Sequence, residues 1–186
     1  MGIETPTISD LQTAFHSKMN AAGFFVDQIK KHYQPESNIV DIPDELYYYV
    51  DAAIFELHSA SQMLLQIINV KSGACAQANK VSWNRQFKSL LEQKNKSLCD
   101  WWVKIDSSPD YCLLESMRQY LSHRGGNFLT AAIRDGKIIM LSMPIRFRYV
   151  KGKTESKPTG KSIELLDELV SICHFLNAMY YELQKF

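Results

Sequence analysis

Residues 115–126 read ESMRQYLSHRGG, with an arginine at 118 and a histidine at 123 separated by four residues. The side-chain types suit phosphate chemistry. A guanidinium is permanently cationic and matches phosphate oxygens, and an imidazole exchanges a proton near neutral pH. The spacing alone carries little weight, because six arginines and five histidines in 186 residues give about half of one such match by chance. Position carries more. His123 falls in the last turn of a helix that Gly125-Gly126 should terminate, where the carbonyl end favours imidazolium by roughly 0.3–1 kcal/mol. That is the form a general acid needs. Five residues along a helix turn through about 500°, so the two positions diverge by about 140°. An unbroken helix in one chain does not aim both at one phosphate. Either the helix is distorted here, or a second chain completes the site across a two-fold axis.

Other candidates are weaker. PTGKS (158–162) ends like a phosphate-binding loop, but Glu155 stands where the first glycine is required, so the backbone cannot wrap a phosphate. The remaining histidines show no ligand spacing and no metal site is expected. His58 and His174 lie on largely apolar helices and read as hydrogen-bonded core residues. The run Tyr47-Tyr48-Tyr49-Val50 is a packing surface or a stacking platform for bases. Cys75, Cys99, Cys112 and Cys173 form no C-x-x-C pair, and read as reduced core residues of a cytoplasmic protein.

The elements that must position Arg118 and His123 are mainly helical. Leu11, Phe15, Ala22, Phe25 and Ile29 recur at helical steps over about 9–32. Leu46, Val50, Ala53, Leu57, Leu64 and Ile68 mark a second helix that opens near Pro43, and KSGACAQANK (71–80) reads as a loop after it. A third helical stretch covers about 82–105, with a break near KNKS. The stretch from Asp106 to Asp110 starts the helix that carries the Arg–His pair, with Ser107 or Ser108 as cap and Pro109 in the first turn. Residues 127–150 turn β-branched and aromatic around Asp135-Gly136, a hairpin signal. In IRFRYV, Arg146 and Arg148 share one strand face. Residues 151–161 read as a flexible basic loop, and a last helix from about Ser162 carries an apolar stripe so wide that it must be buried or paired with another chain. The expected architecture is one domain over 1–186: a mainly α, up-and-down bundle of four to five long helices with a β-hairpin insertion at about 127–150 before the last helix.

Composition is that of an ordinary globular chain. The start lacks a basic region followed by an apolar run, which argues against a secretory leader, and the longest uncharged run, 57–70, is too short and polar to span a membrane. Charge is unevenly placed. Residues 118–161 hold ten Lys or Arg against two acids, a net +8, so the remainder of this +1 chain carries −7. Basic charge beside the Arg–His pair, interleaved with Phe128, Phe147 and Tyr149, suits a nucleic-acid backbone.

The stretch MRQYLSHRG resembles the R-x4–6-H signature of HEPN domains (higher eukaryotes and prokaryotes nucleotide-binding), and the helical outline is similar to theirs. The motif evidence is confined to 113–126, whereas the outline covers most of the chain. The resemblance implies a metal-independent endoribonuclease that needs no cofactor, acts on RNA and dimerises so that two motifs form one cleft. Toxin–antitoxin and phage-defence settings, with an antitoxin or other protein partner, are implied too. Arg118 would stabilise charge on the scissile phosphate, and His123 would serve as general base or acid toward the RNA 2′-hydroxyl. Gln119 stands where active members commonly carry Asn, Asp or His; it is polar and able to hydrogen-bond. Tyr120, Ser122 and Arg124 are the neighbours expected to orient RNA, with Arg146 and Arg148 on the basic segment. The alternative is a non-catalytic helical module that binds a nucleotide, a nucleic acid or a protein partner.

Overall fold

The computed structural model describes residues 6–32, 42–124, 129–134, 137–144, 148–150, 153–155 and 162–186. For residues 120, 122–124 and 130–163 that description is of the backbone only. The protein is mainly helical, and its elements follow from local chemistry. In α1 (Ile8–His32) Leu11, Phe15, Met19, Ala22, Val26 and Ile29 are buried at steps of three and four. Thr7 and Asp10 close its start reciprocally: the Thr7 amide donates to Asp10 Oδ2 at 2.9 Å, and the Asp10 amide donates to Thr7 Oγ1 at 3.2 Å. The next helix, α2 (Asp44–Lys71), begins after Pro43 and is the central helix. All six expected stripe residues are buried there, along with Ile54, Ala60, Leu65 and Ile67, since α1, α5 and α6 pack around it.

Between 72 and 84 the chain reverses. Gly73 takes a positive φ of 68° just beyond the α2 C-cap, a conformation that costs glycine nothing. Buried Asn69 pins the loop by accepting from the Ala76 amide at 2.8 Å and donating to the Ala76 carbonyl at 2.9 Å. The third helical stretch divides into α3 (Arg85–Lys94) and α4 (Lys96–Asp106). Asn95 causes the break: its extended backbone ends α3, while its side chain accepts from the Leu98 amide and caps α4. Ser108 caps α5 (Pro109–Arg124) by accepting from the Tyr111 amide at 3.3 Å. Gly125 and Gly126 lie outside the described residues.

The segment before the last helix differs from a free-standing hairpin insertion. β1 (Thr130–Arg134) and β2 (Lys137–Pro144) pair antiparallel, but β5 (Ser162–Glu164) adds to the other edge of β2. The result is a three-stranded sheet, ordered β1-β2-β5, beside α6 (Leu165–Leu183). The basic stretch expected as a loop contains β4 (Lys153–Glu155), which pairs with β3 (Arg148–Val150) next to α5. Accordingly α6 starts at Leu165 rather than Ser162. Strand pairing claims 162–164, and the Glu164 side chain accepts from the Asp167 amide to cap the helix. The wide stripe of α6 is covered within the chain: Leu165, Leu169, Ile172, Leu176 and Leu183 are buried, and Phe175 and Met179 pack beside them.

Two single-residue expectations fail. His174 is exposed, because its position on α6 faces away from α1, α2 and α5. Cys75 is exposed at the turn after α2, with a φ of 52°, and is not a core residue. All four cysteines are free.

Candidate functional site

The helix α5 runs without interruption from Pro109 to Arg124 and so contains both motif positions. Its backbone shows no distortion that would bring 118 and 123 onto one face, so the divergence of about 140° stands. Arg118 is exposed and Gln119 half-buried, whereas the inward face of the same helix buries Leu114 and Met117 completely or nearly so. Backbone positions place Tyr120, Ser122, His123 and Arg124 on the last turns of α5; their side chains lie outside what the structure describes. Arg148 sits on β3 beside α5, and Arg146 lies outside the described residues.

Two cavities open along the seam between α2 and α5, and Arg118 and His58 line both. The first, of about 320 Å³, is polar, with Asp106, Tyr111, Glu115 and Gln119 in its wall. The second, of about 690 Å³, is more apolar, with Phe25, Tyr48, Tyr49 and Phe55 in its wall. Tyr48 and Phe55 are 71% and 63% exposed.

His58 is the residue that sequence reasoning misjudged. It is hydrogen-bonded, as expected of a core histidine, since its Nε2 lies 3.1 Å from Glu115 Oε1. The pair nevertheless lies in the wall of an open cavity next to Arg118. A signal was available. His58 and Gln62 are one turn apart on α2, and Glu115, Arg118 and Gln119 share one face of α5. Two short polar stripes on helices with buried apolar faces must meet each other or water.

Electrostatics in the polar cavity are set by burial and by clustered acids. The Tyr111 phenol is pushed far above its ordinary range, by burial first and then by the Glu115 and Asp106 carboxylates. Burial also raises the Asp106 carboxyl, with like charge from Glu115 adding to it and hydrogen bonding from Trp83 opposing it. A folded-state value raised above the unfolded one means that protonated Asp106 supports the fold in acid. That support is lost as pH rises through the folded value. Asp106→Asn keeps an acceptor for Trp83 and removes the charge. It is therefore expected to be more stable than wild type near neutral pH, with the gap closing in acid, by thermal denaturation across a pH series. An equal gap at every pH would assign the effect to something other than this charge.

The thiols of Cys99, Cys112 and Cys173 are raised by burial. Burial pushes Cys173 up to about 11, which keeps it protonated and unreactive at neutral pH. Among the described residues no group of three or more His, Cys, Asp or Glu could hold a metal ion. No helix among them is long and apolar enough to cross a membrane.

The site is thus a cationic side chain on an intact helix, flanked by a histidine–carboxylate pair and an aromatic hollow. Against family models, curated proteins and solved structures the chain matches none.

Proposed function

We propose that this protein is a HEPN-like, metal-independent endoribonuclease that works as a homodimer on cytoplasmic RNA. One observation carries the reading. Arg118 stands exposed at the mouth of both cavities, on an unbroken helix whose end holds His123. The RNA 2′-hydroxyl attacks the adjacent phosphate, which leaves a 2′,3′-cyclic phosphate and a 5′-hydroxyl. The nucleophile belongs to the substrate, so the protein must only move protons and stabilise charge. Arg118 stabilises the developing charge on phosphorus-bound oxygen, and His123 supplies about 10²–10⁴-fold by general acid–base action. Gln119, Tyr120, Ser122 and Arg124 orient the strand. Arg148, on the strand beside α5, and Arg146 hold its backbone.

The intact helix favours the two-chain form of the site. The second copy sits on the exposed rings of Tyr48 and Phe55, which line the same cavity as Arg118, and supplies its own His123. A toxin–antitoxin or phage-defence setting belongs to the same proposal, with the antitoxin as a protein partner. The second reading, a non-catalytic module that binds a nucleotide or a partner, is favoured by Gln119 in place of the residue usual in active members.

The test is direct. Wild-type protein and His123→Ala are incubated with mixed RNA in EDTA, and wild type is expected to cleave while the variant does not. Equal cleavage by the two ends the ribonuclease reading in favour of the module. A monomer by light scattering at micromolar concentration would remove the two-chain site.

A further inference from the structure

The proposed reaction needs two proton carriers. As the 2′-oxygen forms its bond to phosphorus, its proton must go to a base. As the bond from phosphorus to the 5′-oxygen breaks, that oxygen must receive a proton from an acid. Atoms and charge then balance with no further reactant. His123 fills one of these roles, which leaves the other open.

We propose that His58, held by Glu115, is the second proton carrier, and that it works beside Arg118 of its own chain; this rests on the ribonuclease reading above. Five observations carry it. His58 lines the same cavities as Arg118. Its side chain is 15% exposed, so it is constrained without being sealed from solvent. Glu115 engages Nε2 at 3.1 Å, which fixes the ring and leaves the other nitrogen for exchange. Glu115 and Arg118 are one helical turn apart on α5, so the residue that positions the imidazole is built on the same face as the phosphate-binding cation. The Ser61 hydroxyl donates to the His58 carbonyl at 2.7 Å, which ties down the backbone from which the imidazole projects. Glu115 is a positioning residue and acts only through His58.

The arrangement divides labour between the chains. Arg118 and His58 act on the phosphate from one protomer, and His123 is contributed by the second copy. That division answers the divergence of 118 and 123 on one helix.

His58→Gln is the variant of choice, because its side-chain amide nitrogen reaches the place of Nε2 and can still donate to Glu115, yet cannot carry a proton. With a short RNA in EDTA, kcat is expected to fall by about 10²-fold or more, with KM and melting temperature nearly unchanged. Glu115→Gln should lose less, about tenfold, since the imidazole remains. If wild type cleaves and His58→Gln cleaves equally fast, the inference is overturned while the ribonuclease reading stands. If wild type cleaves no better than His123→Ala, that reading falls and the proton-carrying role of His58 falls with it. Titration with adenosine 3′-monophosphate, followed on the His58 ring proton by NMR, separates the two failures. A saturable shift that Arg118→Ala abolishes supports a phosphate site at His58 and Arg118, and no shift overturns the site as well.

Discussion

Replacing Arg118 by alanine is expected to slow RNA cleavage by about 10²–10³-fold, the usual loss when one charge-stabilising donor is removed from a reacting phosphate or oxyanion. The fold should not suffer. Arg118 is exposed, and it forms no ion pair among the described residues. Loss of activity with an unchanged melting temperature would therefore assign it to the reaction. Arg118→Lys should recover only part of the rate, because an ammonium is a point charge that cannot grip two phosphate oxygens in a fixed fork. The slope of binding against salt should also decrease by about one ion for the alanine variant. An Arg118→Ala protein that cleaves normally would exclude Arg118 from the reaction and leave the charge on the phosphate to another group.

Trp102→Ala is expected to cost about 3–5 kcal/mol of stability, the range for deleting a large aromatic from a packed core. Trp102 is fully buried, and its ring packs edge-on against Tyr111 at 5.6 Å and against Trp83 at 6.1 Å. Both neighbours line the polar cavity, so the hollow left behind would loosen two walls of the candidate site. Activity should consequently fall by more than the folded fraction does. Trp102→Phe makes the complementary point. The indole Nε1 of Trp102 is buried without a hydrogen-bond partner among the described residues, so phenylalanine removes an unsatisfied donor while keeping most of the packing. Urea denaturation should place Trp102→Phe well above Trp102→Ala. A loss below about 1 kcal/mol for alanine would mean that packing around Trp102 is not the support of this end of the core.

Most of the helical framework was legible because it follows from short-range rules. The apolar stripes of α1 and α2 repeat at helical steps, the break falls near KNKS, Ser108 is one of two candidate caps, and Pro109 sits where a first turn accepts it. The misjudged elements depend on partners far along the chain. Ser162–Glu164 looks like the start of α6, and only the edge of β2, about twenty residues earlier, turns it into a strand. His58 looks like a core residue of an apolar helix until Glu115 is brought against it from α5. His174 occupies the outer face of α6, which a stripe covering most of the circumference made hard to single out. Arg118 was legible as a position, and its exposure agrees with a role outside the core. What local pattern could not supply was the second side of its pocket.

The central claim is that this chain cuts RNA by moving protons onto and off the substrate's own oxygens. End-group analysis of cleaved RNA tests it most directly. A defined oligoribonucleotide is incubated with wild-type protein in EDTA, and both new ends are identified by mass. A 2′,3′-cyclic phosphate is expected on one fragment and a 5′-hydroxyl on the other, with no cleavage of the same oligonucleotide carrying a 2′-deoxy substitution at the cut. Fragments that carry a 5′-phosphate, or cleavage that persists without the 2′-hydroxyl, would contradict it.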